Sequence, residues 1–143
     1  MRFWDSSAIV PLILQEEETA AMRTLFAEDR DVVVWALTGL EVASALWRRA
    51  RTGDLDEAPR AAAAESLAQL ESAWNTMIDI GEVVARARRV LAAHPLRAAD
   101  AAQLAAALIA GRERTDTLDF VTLDARLADA ARREGLRVLP ARS

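Results

Sequence analysis

Short apolar runs alternate with stretches of helical spacing along this chain, and that alternation restricts the fold more than any other property of the sequence. Phe3-Trp4, Val32 to Trp35, Phe120 to Leu123 and Val138-Leu139 read as strands bounded by polar or turn residues. Helical periodicity fills the intervals at roughly 7 to 14, 17 to 29, 38 to 53, 56 to 74, 82 to 93, 97 to 110 and 125 to 134. Met77 to Ile80 reads as a brief extended link. Strands that alternate with helices need right-handed crossovers, which lay the strands parallel and cover both faces of the sheet. The expected fold is therefore α/β, a three-layer α/β/α sandwich around a short parallel sheet. With 143 residues, residues 1 to 143 make one domain with a sizeable core.

Within the helices the apolar positions mark the buried stripes. The expected stripes are Leu40, Ala43, Trp47 and Ala50 in one helix, Ala63, Leu67, Leu70 and Trp74 in the next, and Val83, Ala87, Val90 and Leu91 in a third. Trp47 and Trp74 read as core residues, with a docking role as the alternative. Gly53 and Gly135 end helices, and Pro95 stops the helix before it at His94.

Four acids stand where strands end or helices begin. Asp5 follows MRFW and precedes SSAIVPLIL; Glu41 lies in LTGLEVASALW; Asp100 lies in LRAADAAQLAAAL; Asp124 ends FVTLD. In a parallel sheet, residues just past the carboxyl ends of the strands converge on one edge, where such folds bind ligands. A carboxylate cluster there needs a divalent cation to offset its self-repulsion, and that points to metal-dependent phosphodiester chemistry. Mg²⁺ takes oxygen ligands and uses one or two direct carboxylates, so four acids are ample. Each acid also has a structural explanation. Asp5 can cap a helix, while Asp100 and Asp124 are favourable at helix starts. Glu41 and Asp100 fit this explanation less well, because each interrupts a segment of small, apolar residues where an unpaired acid is costly. Asp119 is the alternative fourth acid, although its place before FVTL sets it at the opposite end of the strand. Asp79 and Asp116 read as loop acids.

Other chemistries lack their residues. The chain has no cysteine, so disulfides, zinc–thiolate sites and thiol catalysis are excluded. The only histidine, His94, reads as a helix C-cap acting on the dipole, and no nucleophile-elbow glycines surround Ser6 or Ser7. No glycine-rich phosphate loop occurs. The apolar run IVPLIL is short and followed by Glu16, Glu17 and Glu18, so a soluble, cytoplasmic protein without membrane association is expected. The net charge of -4 disfavours non-specific nucleic-acid binding but leaves a nuclease open. All 18 basic residues are arginine. The clusters Arg48-Arg49-Arg51, Arg86-Arg88-Arg89 and Arg132-Arg133-Arg137 read individually as solvated helix faces, although arginine suits phosphate contacts.

Taken together, FWDSSAIVPLIL, LTGLEVASALWRR, HPLRAADAAQLAAAL and FVTLDARLADAARREGLRVL resemble PIN-domain proteins of the VapC toxin type, over nearly the whole chain. The main departure is the insert Arg112 to Thr117, which lengthens the interval between Asp100 and Asp124. The resemblance places the catalytic acids at Asp5, Glu41, Asp100 and Asp124, with Asp5, Asp100 and Asp124 as metal ligands. Ser7 and Thr122 become supporting residues that steady the carboxylates. It implies an endoribonuclease dependent on Mg²⁺ or Mn²⁺ that hydrolyses structured RNA, forms a homodimer and is silenced by a VapB-type antitoxin. A PIN-like module that only binds proteins is the alternative, and degenerate members of that kind would lack one or more of the acids.

Overall fold

A computed structural model describes residues 1–141; the last two positions of the expected 1–143 domain lie outside the described residues. The described elements, in chain order, are β1 (Arg2–Trp4), α1 (Ser6–Ile13), α2 (Thr19–Glu28), β2 (Val32–Trp35), α3 (Thr38–Arg51), α4 (Glu57–Ala73), β3 (Asn75–Met77), α5 (Ile80–Ala93), α6 (Ala98–Ala110), β4 (Asp119–Val121), α7 (Ala125–Arg133) and β5 (Arg137–Leu139). The five strands form one sheet in the order β3-β2-β1-β4-β5, and every pairing is parallel. The expected three-layer α/β/α architecture is present.

The layers follow from the two-residue period of a strand, which sends successive side chains to opposite faces. Phe3, Val33, Trp35, Phe120 and Val138 meet the apolar faces of α5, α6 and α7. Trp4, Val32, Val34 and Val121 face the other way, onto α1, α2, α3 and α4. At the sheet centre Phe3 sits opposite Phe120 in the β1–β4 register, and their rings stack with centroids 5.7 Å apart. Helix α6 is buried over most of its surface because Ala101, Ala105, Ala106 and Ala107 allow close approach, with Leu104 and Leu108 filling the remaining space. No helix among the described residues is long and apolar enough to cross a membrane.

Besides Leu91, which the expected α5 stripe included and which is 41% exposed, three details differ from the sequence-based expectation. The expected extended link at 77 to 80 is displaced: Asn75–Met77 is a fifth strand, paired with β2 at the sheet edge. Asn75 and Thr76 are polar and exposed and only Met77 packs on the core, so no apolar pattern marks the strand, and α5 starts immediately afterwards on an Asp79 cap that accepts the Glu82 N–H. The buried stripe of α3 is Thr38, Val42 and Leu46, whereas Leu40 and Trp47 of the expected stripe are 68% and 46% exposed. Trp47 instead carries the Arg60 guanidinium over its ring, 4.0 Å from the centroid. His94 does occupy the C-cap position of α5, but its ring Nε2 lies 2.8 Å from Glu134 Oε1, so the side chain ties α5 to the end of α7. Gly53 and Gly135, at φ +80 and +94, end α3 and α7 in the left-handed conformation that glycine adopts without strain.

Replacing Phe120 by alanine removes the central stacked ring from a fully buried site. Chemical denaturation should show a loss of about 3–5 kcal/mol in unfolding free energy.

Candidate active site

Strand order 3-2-1-4-5 places the change of winding direction between β1 and β4, where an open parallel sheet forms a crevice at its carboxyl edge. Asp5 leaves β1 at this point and Asp124 follows β4. Helices that follow parallel strands start at the carboxyl edge, so their N-termini point toward the crevice. Asp5 is the N-cap of α1 and accepts the Ser7 N–H; Asp124 is the N-cap of α7 and accepts the Leu127 N–H at 2.9 Å. Glu41 and Asp100 lie in the first turns of α3 and α6. All four acids are thus at helix N-termini, where the macrodipole favours negative charge.

These four carboxylates line one cleft of about 520 Å³, together with Ser6, Ser7, Ser44 and Arg48. Asp119 does not join them. It starts β4 at the opposite edge, held by Arg137 at 2.8 and 2.5 Å, and its carboxyl lies below the usual range because of that hydrogen-bonded pair, with further help from Arg2. The geometry therefore separates the two candidates for the fourth acid: Asp124 is in the cleft and Asp119 is not.

Asp5 is the most enclosed of the four, only 2% exposed. Its Oδ2 accepts a short hydrogen bond from the Ser7 hydroxyl and one of ordinary length, 2.9 Å, from Thr122 Oγ1. The same two hydroxyls are 3.2 Å apart; Ser7 Oγ also accepts the Leu123 N–H at 3.0 Å, and Thr122 Oγ1 accepts the Asp124 N–H at 3.1 Å. Ser7 and Thr122 thus fasten the end of β1 to the end of β4 through the Asp5 carboxylate.

Glu41 is reached by a second set of bonds that sequence reasoning missed. Ser6 Oγ donates to Glu41 Oε2 at 2.9 Å and lies 3.4 Å from Asp5 Oδ1. From α6, the fully buried Gln103 uses Nε2 to reach Thr38 Oγ1 at 3.1 Å and Glu41 Oε1 at 3.3 Å. A signal existed, because Gln103 lies three residues after Asp100 on the same helix face and is polar within an otherwise apolar segment. Arg48, two turns after Glu41, was legible only as part of a basic cluster.

The electrostatics follow from this enclosure. Burial pushes the Asp5 carboxyl up; its hydroxyl and backbone hydrogen bonds oppose the shift, while Asp124 adds to it. Burial also raises Glu41, reinforced by the charges of Asp5 and Asp100. Asp100 is raised by burial and then by Asp124 and Asp5, with Arg97 opposing. The carboxylates therefore repel one another across the cleft.

An all-oxygen donor set with mutual repulsion suits a hard divalent cation such as Mg²⁺ or Mn²⁺, and among the described residues no sulfur or imidazole ligand lines the cleft. Among the described residues, no three acidic or histidine side chains are already grouped to hold an ion directly. A small hydrated cation held directly by one or two carboxylates fits such spacing.

A short parallel sheet carrying a braced acidic cleft at its switch point places the chain among α/β proteins with a carboxylate site beyond the strand ends. The PIN domain family model matches residues 2–133, and the chain belongs to that family. Its fold is similar to that of PAE2754 from Pyrobaculum aerophilum, with a TM-score of 0.68 and 22% identity over 96% of this chain and 88% of that one. It is also similar to FitAcB from Neisseria gonorrhoeae, with a TM-score of 0.64 and 17% identity over 96% of each chain. No curated protein matches the sequence.

The raised carboxyls fix the sign of a pH effect. The folded state retains protons that the unfolded chain has released, so ionising these groups costs stability as pH rises from the ordinary values of 3.8 and 4.5 through the raised folded ones. Asp100→Asn removes one such group that makes no side-chain hydrogen bond among those described. In the absence of divalent ions, its melting temperature should exceed that of the parent at neutral pH by a few degrees. The difference should shrink toward zero as pH falls below the ordinary carboxylate range.

Proposed function

We propose that the chain is a metal-dependent endoribonuclease, the toxin of a type II toxin–antitoxin pair. The observation that carries this is the convergence of Asp5, Glu41, Asp100 and Asp124 on one cleft in a member of the PIN domain family. PIN domains are generally nucleases, and the four sequence segments around these acids resemble the VapC type.

Asp5, Asp100 and Asp124 would hold a Mg²⁺ or Mn²⁺ ion, one or two of them directly and the others through its hydration shell. When bound, such an ion offsets charge on a phosphate and makes water a stronger nucleophile at neutral pH. The protein's own groups supply position. Ser7 and Thr122 fix the Asp5 carboxylate in one orientation, and Gln103 and Ser6 do the same for Glu41. Glu41, raised by burial and like charge, is the group we assign to accept a proton from the attacking water, because a base of raised pKa takes that proton more readily. The substrate is RNA. The proposed partners are a second copy of the chain and a VapB-type antitoxin, for which Leu37, Leu40 and Trp47 offer exposed apolar contacts on and beside α3.

Purified protein should cleave RNA with Mg²⁺ or Mn²⁺ and stop when the ion is chelated. Asp5→Asn and Asp100→Asn should each lower kcat by about a hundredfold or more, the loss of roughly 3 kcal/mol of barrier reduction. Retention of the parent rate by both variants would sink the mechanism and favour a binding module. Millimolar Mg²⁺ or Mn²⁺ should also raise the melting temperature of the parent, because an ion that binds only the folded state stabilises it by mass action. In Asp100→Asn that increase should diminish.

A further inference from the structure

The cleft does not end at the acids. Asp100 and Asp124 also form a wall of a second depression of about 310 Å³, lined by Pro95, Leu96, Arg97 and Arg126. The two hollows meet at this pair of carboxylates. Arg48 lies in the first hollow, and Arg97 and Arg126 lie in the second.

All three arginines are exposed. No hydrogen bond or ion pair holds any of them among the described residues, whereas Arg49, the neighbour of Arg48, is paired with Glu16. Other arginines on the surface are also unpaired. These three differ in position, because each lines a hollow that contains cleft carboxylates. Each is also tied to the site by its element. Arg48 lies on α3 two turns beyond Glu41, Arg97 is the N-cap residue of α6 just before Asp100, and Arg126 lies in the first turn of α7 just after Asp124.

A polyanion approaching four carboxylates meets repulsion at the point of chemistry and needs cations on either side of it. An arginine fork binds two phosphate oxygens at once and remains charged at every working pH. The apolar face beside Arg48 adds a second element. Leu40 lines the same hollow and is 68% exposed, which suits contact with an unstacked base more than with a duplex.

We propose that Arg48 on one side and Arg97 with Arg126 on the other form a phosphate track that lays a single RNA strand across Asp100 and Asp124. This rests on the nuclease reading for its ligand class. It goes beyond that reading by assigning positioning residues and a path for the strand through the joined hollows. The arginines bind the phosphates flanking the scissile one, and the carboxylates act on the phosphate between them.

The test is binding of a short fluorescein-labelled single-stranded RNA, followed by anisotropy over a range of salt concentrations, in an Asp100→Asn background that holds cleavage off. Arg48→Ala, Arg97→Ala and Arg126→Ala should each weaken binding about tenfold or more, the loss of one charged hydrogen-bonded contact. Each should also reduce the slope of log K against log salt by about 0.7, the value for one phosphate contact on a single strand. Arg48→Lys should keep the slope while losing part of the affinity, because it retains charge without the fork. Arg23→Ala on α2, away from both hollows, should change neither quantity. Unchanged affinity and slope in all three alanine variants would overturn the track, as would equal losses in Arg23→Ala. If the parent cleaves RNA while the three variants bind normally, the track fails and the nuclease stands. If the variants lose affinity and slope while the parent cleaves nothing with Mg²⁺ or Mn²⁺, the nuclease fails and the track stands.

Discussion

The structure turns on one carboxylate. Asp5 is almost fully enclosed, and the two hydroxyls and the backbone N–H that point at its carboxyl offset part of the cost of that burial. Ser7 and Thr122 reach it from opposite sides of the junction between β1 and β4, and each also engages the β4 exit, through the Leu123 and Asp124 N–H groups. The crevice that the strand order opens is therefore pinned at its base. The remaining acids take their places relative to this point, Asp124 by the same hydroxyl web and Glu41 through Ser6.

The two edges of the sheet treat charge in opposite ways. At the amino edge, Arg2 engages Glu28 and Asp119, and Arg137 forks onto Asp119, so the acids there are matched by cations. At the carboxyl edge, four acids are matched mainly by helix N-termini and hydroxyls, which are partial charges and dipoles. The result is a fold whose stability is greatest when its cleft is protonated or neutralised. Conflict between local stability and a preorganised charge is a common mark of functional sites.

Much of this was legible in the sequence because it depends on short-range rules. The alternation of Phe3-Trp4, Val32 to Trp35 and Phe120-Val121 with helical periodicity specifies the sheet and its two faces, and the acids at strand exits follow from the same pattern. Strand β3 was not legible. Asn75–Met77 has its place through backbone pairing with β2, and with Asn75 and Thr76 exposed and only Met77 on the core it leaves no alternating signature. The stripe of α3 misled for a different reason. Leu40 and Trp47 are apolar yet outward, while Thr38 is polar yet buried because Gln103 bonds it. Ser6 was hidden because a residue that matters through a partner 35 positions away has no local pattern to betray it; Gln103 stood out as polar in an apolar helix, but its partner 62 positions away did not.

The bond between Thr122 and Asp5 spans 117 positions of chain. Consequently the cleft cannot exist on a partly synthesised polypeptide. Until β4 emerges and slots beside β1, Asp5 lacks one of its two hydroxyl partners, Asp124 is absent, and the central layer of the molecule has no edge against which to close. The site thus stays incomplete for most of the chain's own translation by topology alone, since its first and last parts are the two that must meet.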